Sequence, residues 1–465
     1  MKFHLFIILY FLSINWIISQ DEIKLDSTVL LKREISSGLN KPWEIKWGPD
    51  DHIWVTERPG RVQRLNPETG NITTILDLSD SVSQQSEAGM LGFCFHPEFE
   101  QNNLIFINYD QRNSSNNLIK TIATYKLFQD TLILENIILG NIPTWVNHSG
   151  CRMLISNDKK LFFTLGDRFV QDSSQDLASP SGKIHRINLD GTIPNDNPFA
   201  NSSVYSFGHR NPQGLMLHPN GTLFSTEHGA SMYDEFNVIK AGQNYGWPHV
   251  EGVCNTNAEI NYCDKNDVKE PIWQTDKCTA LNDLFFYDHV AIPEWKNKVL
   301  MAVLGGAVKT PSLSVYTISN NNQVENVEHH FNELGRIRDV CANPYTGSIY
   351  LVTNGFRRSE TTFNSIIEYY NPDYEITTSQ IKYETNQYLD FSPNPVLNSE
   401  NISIRCSEDF INATIDIFNL NGKKVYSKKI ENTNFYILPN NVGSGTFVIR
   451  AANNNGTITK KIIIQ

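Results

Sequence analysis

The sequence lacks a long hydrophobic run beyond its first residues, and it has less positive than negative charge. No later segment approaches the roughly twenty apolar residues that a membrane-spanning helix needs, so no membrane span is expected in the mature protein. Lys and Arg number 39 against 50 Asp and Glu, which gives a net charge of −11. Because nucleic acids are bound by clustered positive charge, this balance argues against a nucleic-acid partner. A local cationic site for a small anion is still compatible with it.

The N-terminus has the pattern of an export signal. Lys2 gives a weakly basic start, Leu5–Leu12 is apolar without a break, and Ser19 is a small residue of the kind found at cleavage sites. A membrane anchor is the alternative, but the apolar stretch is short. We therefore predict a signal peptide at residues 1–19 and a secreted or cell-surface protein.

Cysteines are few, and their total of seven is odd. Cys254, Cys263 and Cys278 share a loop-rich stretch, where any pair can bridge. The other four lie among strand-like residues, where cysteine most often behaves as a small buried hydrophobe.

Long amphipathic helical patterns are also scarce, and short β-rich runs bounded by Gly, Pro, Asn and Asp indicate an all-β fold. A turn, a strand and a polar break recur six times, roughly fifty to seventy-five residues apart. The recurring strands begin near Ile53, Leu104, Leu161, Thr222, Val299 and Ile349. This spacing fits four-stranded blades, so we predict a six-bladed β-propeller over residues 24–370, with the recurring strand along the central channel. A pair of β-sandwiches is the alternative.

The composition changes after Tyr369. We predict a Tyr-, Asn- and Thr-rich linker at residues 371–386 and a small C-terminal β-sandwich at residues 387–465. Asn421-Gly422 and Asn455-Gly456 are hairpin signals, because both residue types tolerate positive φ. No acid/base or metal cluster is evident here, so this domain is expected to carry no chemistry.

Two polar motifs stand where predicted strands end. His148 titrates in the range useful to a general base, and Asp167 in the same predicted blade is a candidate to orient it. In "GHRNPQG", Arg210 and Asn211 lie in a tight loop, and a constrained arginine often binds an anion through two hydrogen bonds. A structural histidine and an interblade salt bridge are the respective alternatives.

An irregular loop provides candidate metal ligands. The backbone carbonyls of Gly229 and Ala230 could face a hard cation, and Asp234 and Glu235 add carboxylates. Calcium accepts such mixed oxygen ligands in flexible geometry. A merely solvated acidic loop is the alternative.

A further motif, "GRIRD", supplies two cations. Arg336 and Arg338 alternate along an extended segment, so both point to the same side and repel one another unless an anion lies between them. With Lys309 and Arg210 they would surround a multiply charged anionic ligand. Pairing with scattered surface carboxylates is the alternative.

Together these motifs resemble the PQQ-dependent soluble glucose and aldose sugar dehydrogenases, also called glucose/sorbosone dehydrogenases. The resemblance covers roughly residues 39–369 and is carried, in order, by "LNKPWEIKWGPDDHIWVTER", "GMLGFCFHPEF", "SGKIHRINLDGTIPNDNPF", "GHRNPQGL", "NYGWP" and "RIRDV". It implies a six-bladed propeller with pyrroloquinoline quinone over the channel mouth and a calcium ion beside it. The three carboxylates of this cofactor would explain a cationic site.

The resemblance also implies roles for matching positions. Cofactor contacts would come from Arg210, Asn211, His228, Lys309, Arg336 and Arg338. Gly229 and Ala230 would bind calcium through their carbonyls. His148, oriented by Asp167, would take the proton from the anomeric hydroxyl of an aldose as hydride passes to the quinone. Arg210 would stabilise the charge that develops on the reduced cofactor. The product would be a lactone, and the electrons would pass to an unidentified acceptor.

The sequence departs from the soluble glucose enzyme in the predicted sugar pocket. Glu87 stands where that enzyme has an amide, and Asn147 where it has a carboxylate beside the base. His228 and Ala230 replace a Gln and a Pro next to the metal. The identity of the sugar is therefore left open.

The C-terminal motifs "SPNP", "IDIFNLNGKKVYS", "GTFVIRA" and "KKIIIQ" resemble the sorting domain of the type IX secretion system. This implies passage across an outer membrane by that machinery and removal of the tail. A carbohydrate- or surface-binding β-module is the alternative.

Two further functions compete with the dehydrogenase. A secreted propeller can bind glycans or a protein without turnover, since a fold does not fix a function. A propeller lactonase would need metal-binding Glu, Asn and Asp residues around the channel, and the motifs do not assemble that set.

Overall fold

The computed structural model describes the chain as two compact units, Met1–Tyr374 and Glu375–Gln465. In the first unit it describes residues 22–305, 311–355 and 364–374. In the second it describes residues 389–392, 402–406, 410–419, 423–430, 435–438, 444–453 and 456–464. The predicted signal peptide, Lys309 and most of the predicted linker lie outside the described residues. Within the described part, no helix has both the length and the apolar character to cross a membrane.

The first unit is built almost entirely from antiparallel strands. Two strands open it, β1 (Glu22–Lys24) and β2 (Val29–Ser36). Sheet 1 contains β3 (Pro42–Trp47), β4 (Ile53–Glu57), β5 (Arg61–Leu65) and β6 (Ile72–Asp77). Sheet 2 contains β7 (Met90–Phe95), β8 (Leu104–Arg112), β9 (Leu118–Phe128) and β10 (Thr131–Pro143). Sheet 3 contains β11 (Met153–Ile155), β12 (Lys160–Leu165), β13 (Lys183–Asn188) and β14 (Val204–Phe207).

The remaining sheets of this unit repeat the pattern. Sheet 4 contains β15 (Pro212–Leu217), β16 (Leu223–Glu227), β17 (Glu235–Ile239) and β18 (Trp273–Gln274). Sheet 5 contains β19 (Leu281–Tyr287), β20 (Lys298–Val303), β21 (Ser312–Ile318) and β22 (Val324–His330). Sheet 6 contains β23 (Ile337–Ala342), β24 (Ile349–Thr353) and β25 (Ile366–Tyr370). Because β2 pairs with β25, the start of the chain completes this last sheet.

Helices are short and peripheral in the described chain. They are α1 (Phe99–Asn102), α2 (Asn257–Asn266) and two single 3₁₀ turns at Gln171–Ser174 and Asn332–Leu334. Thr256 and Glu259 form a reciprocal capping box at the start of α2. A disulfide ties Cys254 to Cys263 on that helix, which selects one of the open pairings.

Apolar clusters join each sheet to the next. Trp54 of sheet 1 packs in one cluster with Phe93 of sheet 2, and corresponding clusters join sheets 2 and 3, 3 and 4, 4 and 5, and 5 and 6. Ile45 of sheet 1 shares a cluster with Val352 of sheet 6. Each fully buried large apolar side chain contributes about 1.5–3 kcal/mol to the stability of the fold through its removal from water. The prediction of an all-β fold is confirmed, and these sheets are consistent with a propeller.

The recurring strand lies one position further out than expected. The copies predicted near Ile53, Leu104 and Ile349 begin β4, β8 and β24, which are second strands of their sheets. The first strands are the ones that pack against each other, as β3 does with β7 and β23. The central strands "PWEIKW" and "MLGFCF" are buried on both faces, so they lack the alternating pattern that makes a repeat visible.

The second unit has its own antiparallel sheets. One contains β26 (Leu389–Ser392), β27 (Ile402–Cys406) and β30 (Phe435–Leu438). The other contains β28 (Thr414–Asn419), β29 (Lys424–Lys429), β31 (Gly445–Asn453) and β32 (Gly456–Ile464). A single cluster centred on Ile404, Ile417, Ile449 and Ile462 forms the core. The turn predicted at Asn421-Gly422 and residue Asn455 lie outside the described residues.

Candidate functional site

The topology brings the predicted site residues to one end of the first unit. Glu87, His148 and Asn211 stand just before the first strands β7, β11 and β15, whereas Asp167 and His228 follow the second strands β12 and β16. Consecutive strands run antiparallel, so the start of a first strand and the end of a second strand meet at the same edge. Residues that are far apart in sequence therefore converge.

His148 and Asp167 form a buried pair. The Nδ1 atom of His148 lies 2.6 Å from Oδ1 of Asp167, and Trp247 donates its indole N–H to Oδ2 of the same carboxylate at 2.8 Å. Burial by itself would raise the pKa of Asp167, but the hydrogen bond and the charge of His148 outweigh it, so this pKa is lowered. The carboxylate is thus ionised at neutral pH, and it fixes the tautomer that leaves Nε2 of His148 available.

The backbone of His148 is held in an unusual conformation. Its φ of 53° is left-handed, which is uncommon for a residue other than glycine. The His148 N–H donates to Oε2 of Glu87 at 2.8 Å, and the ring of Phe169 stacks on the imidazole with 4.1 Å between centroids. Such a conformation persists where its surroundings over-determine it, which is typical of functional sites.

Arg210 links this pair to the candidate metal loop. Its carbonyl accepts from the Asp167 N–H at 2.8 Å, and its guanidinium donates to the carbonyl of His228 at 3.0 Å. Glu227 accepts from the Arg210 N–H, and the guanidinium lies 5.4 Å from the Trp247 ring. The guanidinium is therefore anchored by one donated hydrogen bond, and it has further N–H groups that can donate to a ligand.

Cationic side chains accumulate around Arg338. Burial, together with the nearby positive charges of Arg58, Arg152 and Arg336, lowers the pKa of Arg338 to about 9. Burial is the larger cause, and the three charge contributions show that other guanidiniums lie close to Arg338, so positive charge is concentrated here. Arg336 lies close enough to Arg338 for its charge to affect the pKa of Arg338.

Two of these cations escaped the sequence reasoning. Arg58 follows β4 inside the quoted motif "VTER", and its guanidinium donates to the carbonyl of Ser86, next to Glu87. Its position at the end of a second strand, like that of Asp167, is the signal that would have identified it. Arg152 lies just before β11, and its role emerges only from partners on three other sheets.

The candidate metal loop is braced by its own carboxylates. Asp234 accepts from the Gly229 N–H at 3.0 Å and from the Thr279 N–H at 2.6 Å, while Glu251 accepts from the Ala230 N–H. Glu235 is likewise engaged with Gly252 N–H, at 2.8 Å. Asp234 and Glu235 thus shape the loop from inside, and the carbonyls of Gly229 and Ala230 are its candidate ligands.

His228 provides a direct indication that a ligand belongs here. Its Nε2 atom is buried and has no hydrogen-bond partner among the described residues. Burial lowers the pKa of His228, although the charges of Asp234 and Glu87 oppose this, so the imidazole is held neutral. An unsatisfied buried nitrogen is costly in a native protein, which points to a bound group that completes it.

The predicted sugar-pocket residues lie beside the base. Asn147 precedes His148 in the chain and accepts from the Ser86 hydroxyl at 2.5 Å. Glu87 contacts both His148 and Asn211, at 2.8 and 3.4 Å. The structure therefore gathers every predicted site residue except Lys309, which is outside the described residues.

An acidic cluster that the sequence did not reveal lies beneath the cations. Arg152 donates to Asp339 at 2.9 Å and lies 3.2 Å from both Glu44 and Asp283. The Arg152 guanidinium is also 4.2 Å from the ring of Trp43. Four sheets contribute to this buried cluster, which is why no local sequence pattern announces it.

Comparison with known proteins identifies the families to which the two parts of the chain are similar. Residues 39–359 match the glucose/sorbosone dehydrogenase family, and the chain belongs to that family. Residues 391–465 match the secretion system C-terminal sorting domain. Both resemblances drawn from the motifs are confirmed, and the sorting domain indicates type IX secretion to the cell surface or outside.

Several of the similar proteins are sugar dehydrogenases, which supports an oxidoreductase. Quinoprotein glucose dehydrogenase B of Acinetobacter calcoaceticus is 38% identical over 252 residues, 48% of this chain and about half, 53%, of that protein. An aldose sugar dehydrogenase of Escherichia coli is 27% identical over 68% of this chain and 88% of its own. The PQQ-bound form of an aldose sugar dehydrogenase from Streptomyces coelicolor is 27% identical, with a TM-score of 0.62 over 73% of this chain and 96% of its own.

Proposed function

We propose that the protein is a secreted quinoprotein that oxidises an aldose at its anomeric carbon to the lactone. The observation that carries this proposal is the convergence of a His148–Asp167 pair with Arg210, Asn211 and Arg338 at one end of the first unit. A general base and an anion-binding set are what this oxidation requires of the protein.

The donor set fits pyrroloquinoline quinone and calcium. The concentrated positive charge around Arg338 would be compensated by a cofactor with three carboxylates, held by Arg210, Asn211, Arg336 and Arg338, with Lys309 as a further proposed contact. The unsatisfied Nε2 of His228 would face it, and the Gly229 and Ala230 carbonyls would bind the metal. When bound, the quinone supplies the hydride acceptor and calcium the Lewis acid that activates it.

The chain's own residues perform the proton transfer. Asp167 occupies Nδ1 of His148, so Nε2 is the nitrogen that takes the proton of the anomeric hydroxyl. The ionised carboxylate then stabilises the imidazolium, as carboxylates do for other catalytic histidines. Glu87 and Asn147 shape the space beside the base where the sugar ring would lie. Arg210 would stabilise the negative charge that the cofactor gains when it accepts the hydride.

We propose the following domain organisation as well. The six sheets of residues 24–370 are the six blades of a propeller, which is supported by the apolar clusters that join each sheet to the next and the sixth to the first. Residues 387–465 form a β-sandwich that the type IX machinery recognises, after a linker at 371–386. Residues 1–19 are the signal peptide.

The test is dye-linked oxidation of a panel of aldoses by the purified apo-protein. We expect turnover only when calcium and pyrroloquinoline quinone are both added, with a loss of about 10³-fold or more in His148→Ala, because the base is removed. Folding of the variant would be checked by thermal unfolding. If a folded wild type neither binds the cofactor nor turns over any sugar, the dehydrogenase is excluded. A non-catalytic propeller that binds glycans or a protein would then be the better description.

A further inference from the structure

We infer that Gln213 is a positioning residue that fixes which way the Asn211 amide points toward its ligand, an inference that rests on the proposed function. Gln213 lies in β15, three residues after Arg210, and its side chain is buried. Neither the family resemblance nor the site described above assigns it a role. Its importance follows from three hydrogen bonds that run in one direction from Arg338 to Glu87, and from a fourth that His148 donates to Glu87.

The chain of hydrogen bonds joins the cations to the base. Arg338 donates to Oε1 of Gln213 at 3.4 Å, and Nε2 of Gln213 donates to Oδ1 of Asn211 at 3.0 Å. Nδ2 of Asn211 donates to Oε2 of Glu87 at 3.4 Å. The same Glu87 oxygen accepts from the His148 N–H at 2.8 Å. We call the side chains of Arg338, Gln213, Asn211 and Glu87, together with the His148 N–H, the amide relay.

The direction of the relay is determined at both ends. A guanidinium can only donate, and an ionised carboxylate can only accept. With Arg338 at one end and Glu87 at the other, each amide between them has a single orientation in which every bond is made. Gln213 therefore obliges Asn211 to keep its oxygen turned inward. The second Nδ2 hydrogen of Asn211 is then left as a donor, which suits an anionic ligand.

The surroundings hold the relay rigidly. The carbonyl of Gln213 accepts from Nε of Arg152 at 3.1 Å, and Arg152 is fixed by the buried cluster beneath. The ring of Trp43 contacts both guanidiniums, with its centroid 4.2 Å from Arg152 and 4.9 Å from Arg338. Gly166 completes the packing, since a Cβ there would be 3.0 Å from Oδ1 of Asn211 and would collide with the His148 carbonyl. The acidic cluster thus acts on the site through Gln213.

The test compares Gln213→Met and Gln213→Glu with wild type. The methionine cannot donate to Asn211, and the new carboxylate would face Asn211 Oδ1 and force the amide over. We expect pyrroloquinoline quinone to bind the apo-protein roughly tenfold more weakly in the methionine variant and weaker still in the glutamate variant. Binding is measured by quenching of tryptophan fluorescence. Gln63→Met is the matched control, because Gln63 is an equally buried amide that donates to Glu57 and accepts from Thr74.

A double-mutant cycle separates the relay from a general structural effect. Gln213 and Glu87 are connected through Asn211, so Gln213→Met should cost little further affinity in a Glu87→Met background. In parallel, amide hydrogen exchange at His148 should be several-fold faster in Gln213→Met and Glu87→Met, but unchanged in Gln63→Met. Multiplicative losses of affinity, or unchanged exchange at His148, would overturn the relay. A wild type that fails to bind the cofactor would refute the proposed function instead, while the exchange measurement would still decide the relay.

Discussion

The two units of the chain differ most in what they bury. In the described part of the second unit, Asp416 is the only buried charged residue, and Arg450 and Lys424 reach it from half-exposed positions, at 2.5 and 3.1 Å. The core around it consists of isoleucine and a few other apolar side chains. The first unit instead buries complete charged groups, such as Lys120 with Asp110 at 2.8 Å.

This difference separates two uses of a β-sheet core. Burying a charge costs several kcal/mol before any partner is found, and an apolar replacement is often as stable. A unit whose role is to fold and to be recognised gains nothing from the free-energy cost of buried charges. Several buried charged groups of the first unit gather around His148 and Arg338, which is where the proposed chemistry lies. Buried charge therefore marks function in this protein, and apolar burial marks folding.

The largest expected effect, a loss of kcat, comes from a substitution that disrupts the buried His148–Asp167 pair of the first unit. In wild type, both carboxylate oxygens of Asp167 accept hydrogen bonds. In Asp167→Asn one of them becomes an NH₂ group, which must then face a donor. That donor is either the indole N–H of Trp247 or the pair formed by His148 and the Phe169 N–H. We expect kcat to fall by about 10²-fold or more with a small change in stability. Steady-state kinetics beside Asp190→Asn, an exposed carboxylate, checks this. Wild-type turnover in Asp167→Asn would mean that the buried pair is structural.

A smaller effect should be confined to the second unit. Ile417 is fully buried in its core, and Ile417→Ala is expected to destabilise that unit by about 2–5 kcal/mol through the cavity it leaves. Sugar oxidation and cofactor affinity should stay at wild-type values, as in Val425→Ala, which alters an exposed position. Calorimetry of the full chain resolves the two transitions. Loss of turnover in Ile417→Ala would contradict the division of roles between the units.

The smallest expected effect is on the pH dependence of stability, and it measures the cost of burying one carboxyl group. Burial, and then the charge of Glu227, raises the pKa of Glu235 to about 8. Since the folded state binds this proton more tightly than the unfolded state, stability should decrease as pH rises from about 4.5 toward 8. Glu235→Gln should flatten this dependence and raise the melting temperature at pH 8 by a few degrees. Its new NH₂ group can donate to Asn237, whose Oδ1 has no partner among the described residues.

Thermal unfolding across pH tests this prediction, with Glu325→Gln as an exposed control. An unchanged pH dependence in Glu235→Gln would show that another group carries the proton. In that case buried carboxylates of the first unit would be less costly than the comparison of the two units implies.

Much of the fold was accessible from the sequence because its second strands carry a repeated local signal. The pattern of turn residues followed by an apolar strand predicts the first residues of β4, β8 and β24 correctly. For the other three copies it predicts the first residue of the strand to within one position. The first strands gave no such signal, since burial on both faces removes the alternation. The sequence pattern therefore predicts the recurring strand as the first strand of each sheet, whereas the structure shows that it is the second.

The predicted site shows the same division. His148, Asp167 and Arg210 can be identified from the sequence because each stands in a short polar motif next to a strand. Gln213 lies in one of those motifs and was passed over, since a glutamine has no chemistry of its own and matters only through its neighbours. Arg152 and Asp339 come from different sheets, and no spacing in the chain relates them.

The sequence by itself determined the class of the fold, the two-part organisation and the family, because turns, strand patterns and ordered motifs are local properties. Only the tertiary structure decided which charges meet. It brought Arg338 within reach of Gln213, Glu87 beneath the backbone of His148, and Arg152 into its acidic cluster. The physical reason is that electrostatic and hydrogen-bond energies depend on separations of a few ångströms, which the folding of six sheets sets and the order of residues along the chain does not.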